Sequence, residues 1–135
     1  MNNRPDEEMD QQIIENAAAI LQHWCHKEAK DNGWWMSIET GLDITGKRNM
    51  GELLCLVHSE VSEAMEGHRK NKMDNHLPHR PMLEVELADA VIRILDIAGG
   101  YNLDIPGAIV EKLEYNAQRD DHKMDNRRED GGKKF

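Results

Sequence analysis

Apolar residues recur at helical spacing along most of this chain. Ile13, Ile14, Ala17, Ile20, Leu21 and Trp24 form one stripe, and Pro5 with Asp6, Glu7 and Glu8 suits a helix N-terminus, which predicts a helix from about Pro5 to Lys30. Asp31-Asn32-Gly33 stops it, the glycine standing where the chain turns left-handed. A second helix starts at Asn49-Met50-Gly51-Glu52, a cap with a glutamate three residues on, and runs to about Lys70. Leu53, Leu54, Leu56, Val57, Val61 and Ala64 are its inner stripe. A third spans Met82–Ala98, with Pro81 suited to its first turn and Gly99-Gly100 ending it. Asp104 caps a fourth, from about Ile105 to Asp120, with Ile109, Val110, Leu113 and Ala117 facing inward. Loops cover Gly33 to Arg48 and Asn71 to Arg80. No stretch alternates as a strand would, so the expected class is all-α, one domain over residues 1–120 followed by a charged, aperiodic tail over 121–135.

The third helix is apolar around most of its circumference, which marks a buried helix. Glu86, Asp89, Arg93 and Asp96, at i, i+3, i+7 and i+10, nevertheless fall in one narrow stripe. Charges are seldom buried unless paired or bound to metal. One reading is a salt-bridge seam in which Arg93 neutralises Asp89 and Asp96 on its own helix. The second helix offers a further acidic pair, Glu60 and Glu63, at the edge of its apolar stripe.

Composition narrows the options. With 17 Lys and Arg against 26 Asp and Glu, the net charge of −9 disfavours nucleic acid as a partner. Six aromatic residues, three of them Trp, leave a mostly aliphatic core. Trp24 falls on the apolar stripe of its helix, as a core residue or one that stacks on a ligand. Trp34 and Trp35, adjacent in a loop, do not both fit one small core, so either one of them covers a cleft or a subunit contact or both pack over helix ends. Cys25 and Cys55 lack C-x-x-C spacing and read as free thiols of a reducing compartment. With no signal-like N-terminus and no apolar run of membrane-spanning length, the expected location is the cytoplasm, or the host's if the chain is phage-encoded, with no membrane partner.

Glu60-x-x-Glu63 and Glu86-x-x-Asp89 each set two carboxylates one turn apart, and antiparallel packing would converge all four. Uncompensated, they repel; a hard divalent cation removes the conflict, and a set without histidine points to Mg²⁺ or Mn²⁺ over zinc or copper. Lys112, Asn116 and Arg119 share one face of the fourth helix, with Tyr115 at its edge, and suit phosphate oxygens; the plain alternative is a solvated face. Acids for metal and cations for phosphate suggest metal-assisted phosphoryl chemistry.

Leu56-Val57-His58-Ser59-Glu60-Val61-Ser62-Glu63-Ala64 and Glu86-Leu87-Ala88-Asp89-Ala90 together resemble the E-x-x-E and E-x-x-D signature of the MazG-like all-α nucleoside triphosphate pyrophosphohydrolases. Lys112 to Arg119 is similar to that family's K-x-x-x-N-x-x-R segment. Gly33-Trp34-Trp35 and the Gly-Gly-Lys-Lys-Phe end are similar to small phage and bacterial members. The resemblance runs from about Trp24 to Arg119 and departs at Ser59, where many members carry another Glu. It implies hydrolysis of a (d)NTP, such as dGTP, to the monophosphate and pyrophosphate, with Mg²⁺ held by Glu60, Glu63, Glu86 and Asp89. One carboxylate would take the proton of the attacking water, while Lys112 and Arg119 stabilise the departing pyrophosphate. Trp24, Trp34 or Trp35 would stack on the base. A homo-oligomer, dimer or tetramer, would complete a four-helix bundle, with Val91, Ile92 and Leu95 at the contact. The alternative is a metal-dependent nucleotide-binding or regulatory oligomer without catalysis.

Overall fold

The structure, a computed structural model, describes residues 5–135. Five α-helices carry it: α1 (Pro5–Asp31), α2 (Met50–Arg69), α3 (Met82–Gly100), α4 (Ile105–Gln118) and α5 (Met124–Arg128), with a 3₁₀ turn at Asp120–His122. No strand occurs among the described residues, only isolated bridges from Met36 to Asp43 and from Met73 to Pro81, so the all-α expectation holds. No described helix is long and apolar enough to cross a membrane. The chain forms two compact units, one of Ile20–Leu103 and one of the chain up to Ala19 with Asp104–Phe135.

In the Ile20–Leu103 unit, the Asn49 side chain accepts from the N–H of Glu52 at 3.0 Å and starts α2 as its sequence predicts. α2 and α3 run antiparallel. Gly67 near the end of α2 lies against Met82 at the start of α3, Glu60 meets Arg93, and Leu53 near the start of α2 shares a core with Ile97. A Cβ on Gly67 would fall 2.8 Å from Met82, so the bare backbone there permits the close approach.

The core of this unit is built on Trp35, which is 1% exposed and packs with Leu53, Ile97, Ala29, Met50, Val57 and Tyr101. Its indole N–H donates to Asp96 Oδ1 at 2.8 Å, and His26 Nδ1 lies 2.9 Å from the same oxygen. An ionised carboxylate only accepts, so His26 donates as well. One acid of the polar seam is thereby used to tie α1 and the following loop to α3. The chain enters that loop through Gly33 at φ +83°, and Trp34, 66% exposed, turns the other way from its neighbour. The split between adjacent tryptophans is the one their sequence predicts.

Several expectations need correction. Trp24 is half exposed and is not core; with Ile20 and Leu21 it forms an apolar strip that the single chain leaves uncovered. Leu54, Val61 and Leu113 are exposed rather than inward, and Leu95, expected at a subunit contact, is buried inside the chain. α4 stops at Gln118, because Arg119 is already extended at φ −74°, ψ 122°. The charged tail is not featureless: it holds the 3₁₀ turn and α5, and Arg127 donates to the carbonyls of Lys133 and Lys134 at 3.1 and 3.0 Å.

Gly99 and Gly100 do not end α3; the helix continues through both, and Asn102 at φ +52° makes the left-handed turn. Their missing side chains serve packing. A Cβ on Gly99 would lie 2.4 Å from His26, and one on Gly100 would lie 2.5 Å from the ring of Trp35. Helix propensity alone predicts that Gly100→Ala stabilises by about 1 kcal/mol. Overpacking against a ring with nowhere to move costs about 1–3 kcal/mol or more. Gly100→Ala is therefore expected to lower the melting temperature, and a rise in thermal denaturation would show that Trp35 yields.

Candidate metal centre

α2 and α3 each bring one turn of acids to their shared face. Glu60, Glu63 and Glu86 offer carboxylate oxygens that all lie within 4.8 Å of one another. Glu60 and Glu86 are buried, at 7% and 9% exposure, while Glu63 is open to solvent. Asp89, one turn beyond Glu86 and partly buried, lines the same cavity of about 570 Å³ without joining the three-oxygen cluster. The convergence that the two spacings predict is therefore present, with three of the four acids tightly grouped.

Charge compensation differs from the expected seam. Arg93 does not pair with Asp89 or Asp96; its Nε donates to Glu60 Oε1 across the helix pair at 2.5 Å. Asp96 is committed to Trp35 and His26. The guanidinium spans from α3 to α2, so it holds one oxygen of Glu60 from outside the cavity.

Glu86 has no such cation. Burial, then a hydrogen bond shared with Glu60 and the charge of Glu63, push its carboxyl up to about 7. Asp89 is raised as well, by burial and then by the charge of Glu60, with Arg93 pulling the other way. These are the signs of an acidic set that gains from a cation. Carboxylate oxygens this close suit a hard divalent ion, and Mg²⁺ or Mn²⁺ fits the donor chemistry.

A further acid escaped sequence reading. Asp74, in the connection between α2 and α3, is 6% exposed and lines the cavity with Asn75, His76 and Leu77. Its Oδ2 accepts from the backbone N–H groups of His76 and Leu77 at 2.8 and 2.7 Å. An Asp whose carboxylate can bond the backbone two and three residues on is a turn signal legible in principle. Nothing in the sequence says that the turn faces the acids.

Trp24 and Trp34 are not among the residues lining the acidic cavity; Trp34 borders a separate hollow with Met36, Ile38 and Arg48. Lys112, Tyr115, Asn116 and Arg119 belong to the other unit and gather around one ring, with Lys112 Nζ and the Arg119 guanidinium 4.6 and 5.6 Å from the Tyr115 centroid. The Arg119 fork is occupied by Asp121, at 2.9 and 2.7 Å, and Lys133 reaches the same carboxylate at 2.9 Å. Asn116 Oδ1 is buried without a hydrogen-bond partner among the described residues.

Glu86 yields a pH prediction. Its carboxyl binds a proton more tightly folded, at about 7, than unfolded, near 4.5. The stability it lends is complete below the unfolded value and is lost as pH rises through the folded one. Metal-free protein in chelator should therefore lose stability as pH rises toward about 7. Glu86→Gln, neutral throughout, should flatten the slope in urea unfolding curves, and an unchanged slope would place the titration on another group. No family model, curated protein or solved structure matches this chain, so the acidic cavity itself is what bears on function.

Proposed function

We propose that this protein is a divalent-cation-dependent hydrolase that cleaves a (deoxy)nucleoside triphosphate, dGTP being one candidate, into the monophosphate and pyrophosphate. The observation that carries the reading is the convergence of Glu60, Glu63 and Glu86 within 4.8 Å, with Asp89 on the wall of the same cavity. The resemblance of the two acid pairs to the MazG-like signature supports it.

Glu60, Glu63 and Glu86, with Asp89 beside them, would hold Mg²⁺, or Mn²⁺ in its place. When bound, the cation supplies a Lewis acid that polarises phosphate oxygens and screens their charge. The chain's own residues orient and move protons. Arg93 fixes one oxygen of Glu60 and so sets where the other points. One carboxylate of the set would take the proton of the attacking water, and Asp89 lines the cavity where that water would stand. For Lys112, Asn116 and Arg119 the resemblance supports a role in binding phosphate; in this chain the Arg119 guanidinium is paired with Asp121.

The protein acts as a homo-oligomer in this reading. On α3, Leu87, Val91 and Ile94 form an exposed stripe at i, i+4 and i+7, with Ile92 beside it, and α2 exposes Leu54, Val61 and Met65. Apolar surface in such rows marks an interaction face. A second copy would bury it, giving a dimer or tetramer.

Pyrophosphate release from a dNTP panel, with and without Mg²⁺, tests the activity. Glu63→Gln and Asp89→Asn should each reduce turnover by about 100-fold or more while the helical CD spectrum persists. Near-normal turnover in both would remove the metal assignment. Cation binding without pyrophosphate release would favour the regulatory alternative.

A separate check addresses assembly. Ile92→Asp sets a charge in the proposed contact and should shift the light-scattering mass to that of one chain. A wild-type protein that already scatters as an active monomer would overturn the oligomer.

A further inference from the structure

The acids of α2 and α3 make up only part of the cavity lining. The Asp74–Leu77 turn supplies another part, with a buried acid of its own in Asp74, and its construction is specific. Asp74 Oδ2 collects the N–H groups of His76 and Leu77, and Asp74 N donates to Arg80 O at 2.9 Å. Arg80 N returns to Leu77 O at 2.9 Å, and Met82 N closes the base of the loop on Lys72 O at 3.0 Å. The backbone is thus held by its own hydrogen bonds, and the side chains of Asn75 and His76 are not needed for it. Both are exposed at the cavity, and no described residue hydrogen-bonds either side chain.

Among the described residues, no Lys or Arg lines the cavity. Besides the buried Asp74 carboxylate, the turn offers a neutral amide with donors and an acceptor, an imidazole ring and the apolar surface of Leu77, and α3 adds Val85. A ligand held at the acids through a cation and phosphates shares the cavity with this turn, whose amide, ring and apolar side chain suit a flat, polar-edged heterocycle. Inorganic polyphosphate would leave that surface unused. The cavity volume of about 570 Å³ lies inside the range of about 300–1,000 Å³ usual for small organic ligands.

We infer that the Asp74–Leu77 turn is the element that recognises the organic part of the substrate, Asn75 reading the polar edge of the base and His76 with Leu77 covering its face. This inference rests on the proposed reading of the acidic cavity as a nucleotide site. It assigns base discrimination to residues that lie outside both acidic pairs and outside the tryptophans.

The test is calorimetric binding, in Mg²⁺, of α,β-methylene analogues of the four dNTPs and of tripolyphosphate, to wild type, Asn75→Ala and His76→Ala. Wild type should bind at least one nucleotide analogue about tenfold or more tightly than tripolyphosphate, and should rank the bases. Each variant should lose about tenfold for the preferred base and flatten the ranking. The thermal shift given by Mg²⁺ alone should persist in both, which shows that the acids are undisturbed. Variants that keep wild-type affinity and ranking overturn the inference, as does tripolyphosphate bound as tightly as nucleotide. Wild type that binds analogues through the turn yet releases no pyrophosphate from dNTPs overturns the hydrolase and keeps the turn's role. An active enzyme indifferent to both substitutions overturns the turn alone, and absence of any nucleotide binding overturns both.

Discussion

Placing glutamates between two helices is tolerable only when something offsets their charge, and the contact of Arg93 Nε with Glu60 is where this chain does so. The pair spans α2 and α3, so the same bond that eases the burial of Glu60 also sets the register of the two helices. Glu86, buried beside Glu60, receives no cation and holds its proton toward neutrality instead. The arrangement remains short of positive charge, and the proposed divalent cation would supply it.

The polar seam of α3 is divided along its length. Its first part, Glu86 and Asp89, faces the cavity. Arg93 crosses to α2, and Asp96 at the far end faces Trp35 and His26 and belongs to the core. Within three turns the helix passes from a surface that holds charge in reserve to one where every charge is spent on hydrogen bonds. The glycines that follow, bare beneath His26 and Trp35, extend the packed end of that gradient.

What the sequence revealed was whatever depends on near neighbours along the chain. The acids at i, i+3 spacing, the Asn49 and Asp104 caps and the opposite fates of Trp34 and Trp35 are all local or nearly so, and the structure shows them as expected. The partner of Arg93 was misjudged because spacing along one helix favours Asp89 and Asp96, whereas a long side chain at a helix contact reaches across it. Gly99 and Gly100 resembled a stop signal because glycine serves both turns and close packing, and only the position of Trp35 separates the two. Trp24 lay on an apolar stripe and so looked like core. A stripe reports that a face is apolar, and says nothing of whether the same chain covers it. Asp74 is the clearest case, since its neighbours announce a turn but not the direction the turn faces.

The manner in which Asp74 holds its turn has an evolutionary consequence. Its carboxylate grips main-chain N–H groups, which every residue except proline carries. The side chains at 75, 76 and 77 can therefore be exchanged while the turn keeps its shape, and the acids on α2 and α3 need not change with them. A lineage starting from this chain could drift through many surfaces at this rim without first losing its fold. The positions closed to such drift are of another kind: the two glycines of α3, where even one methyl group meets a ring.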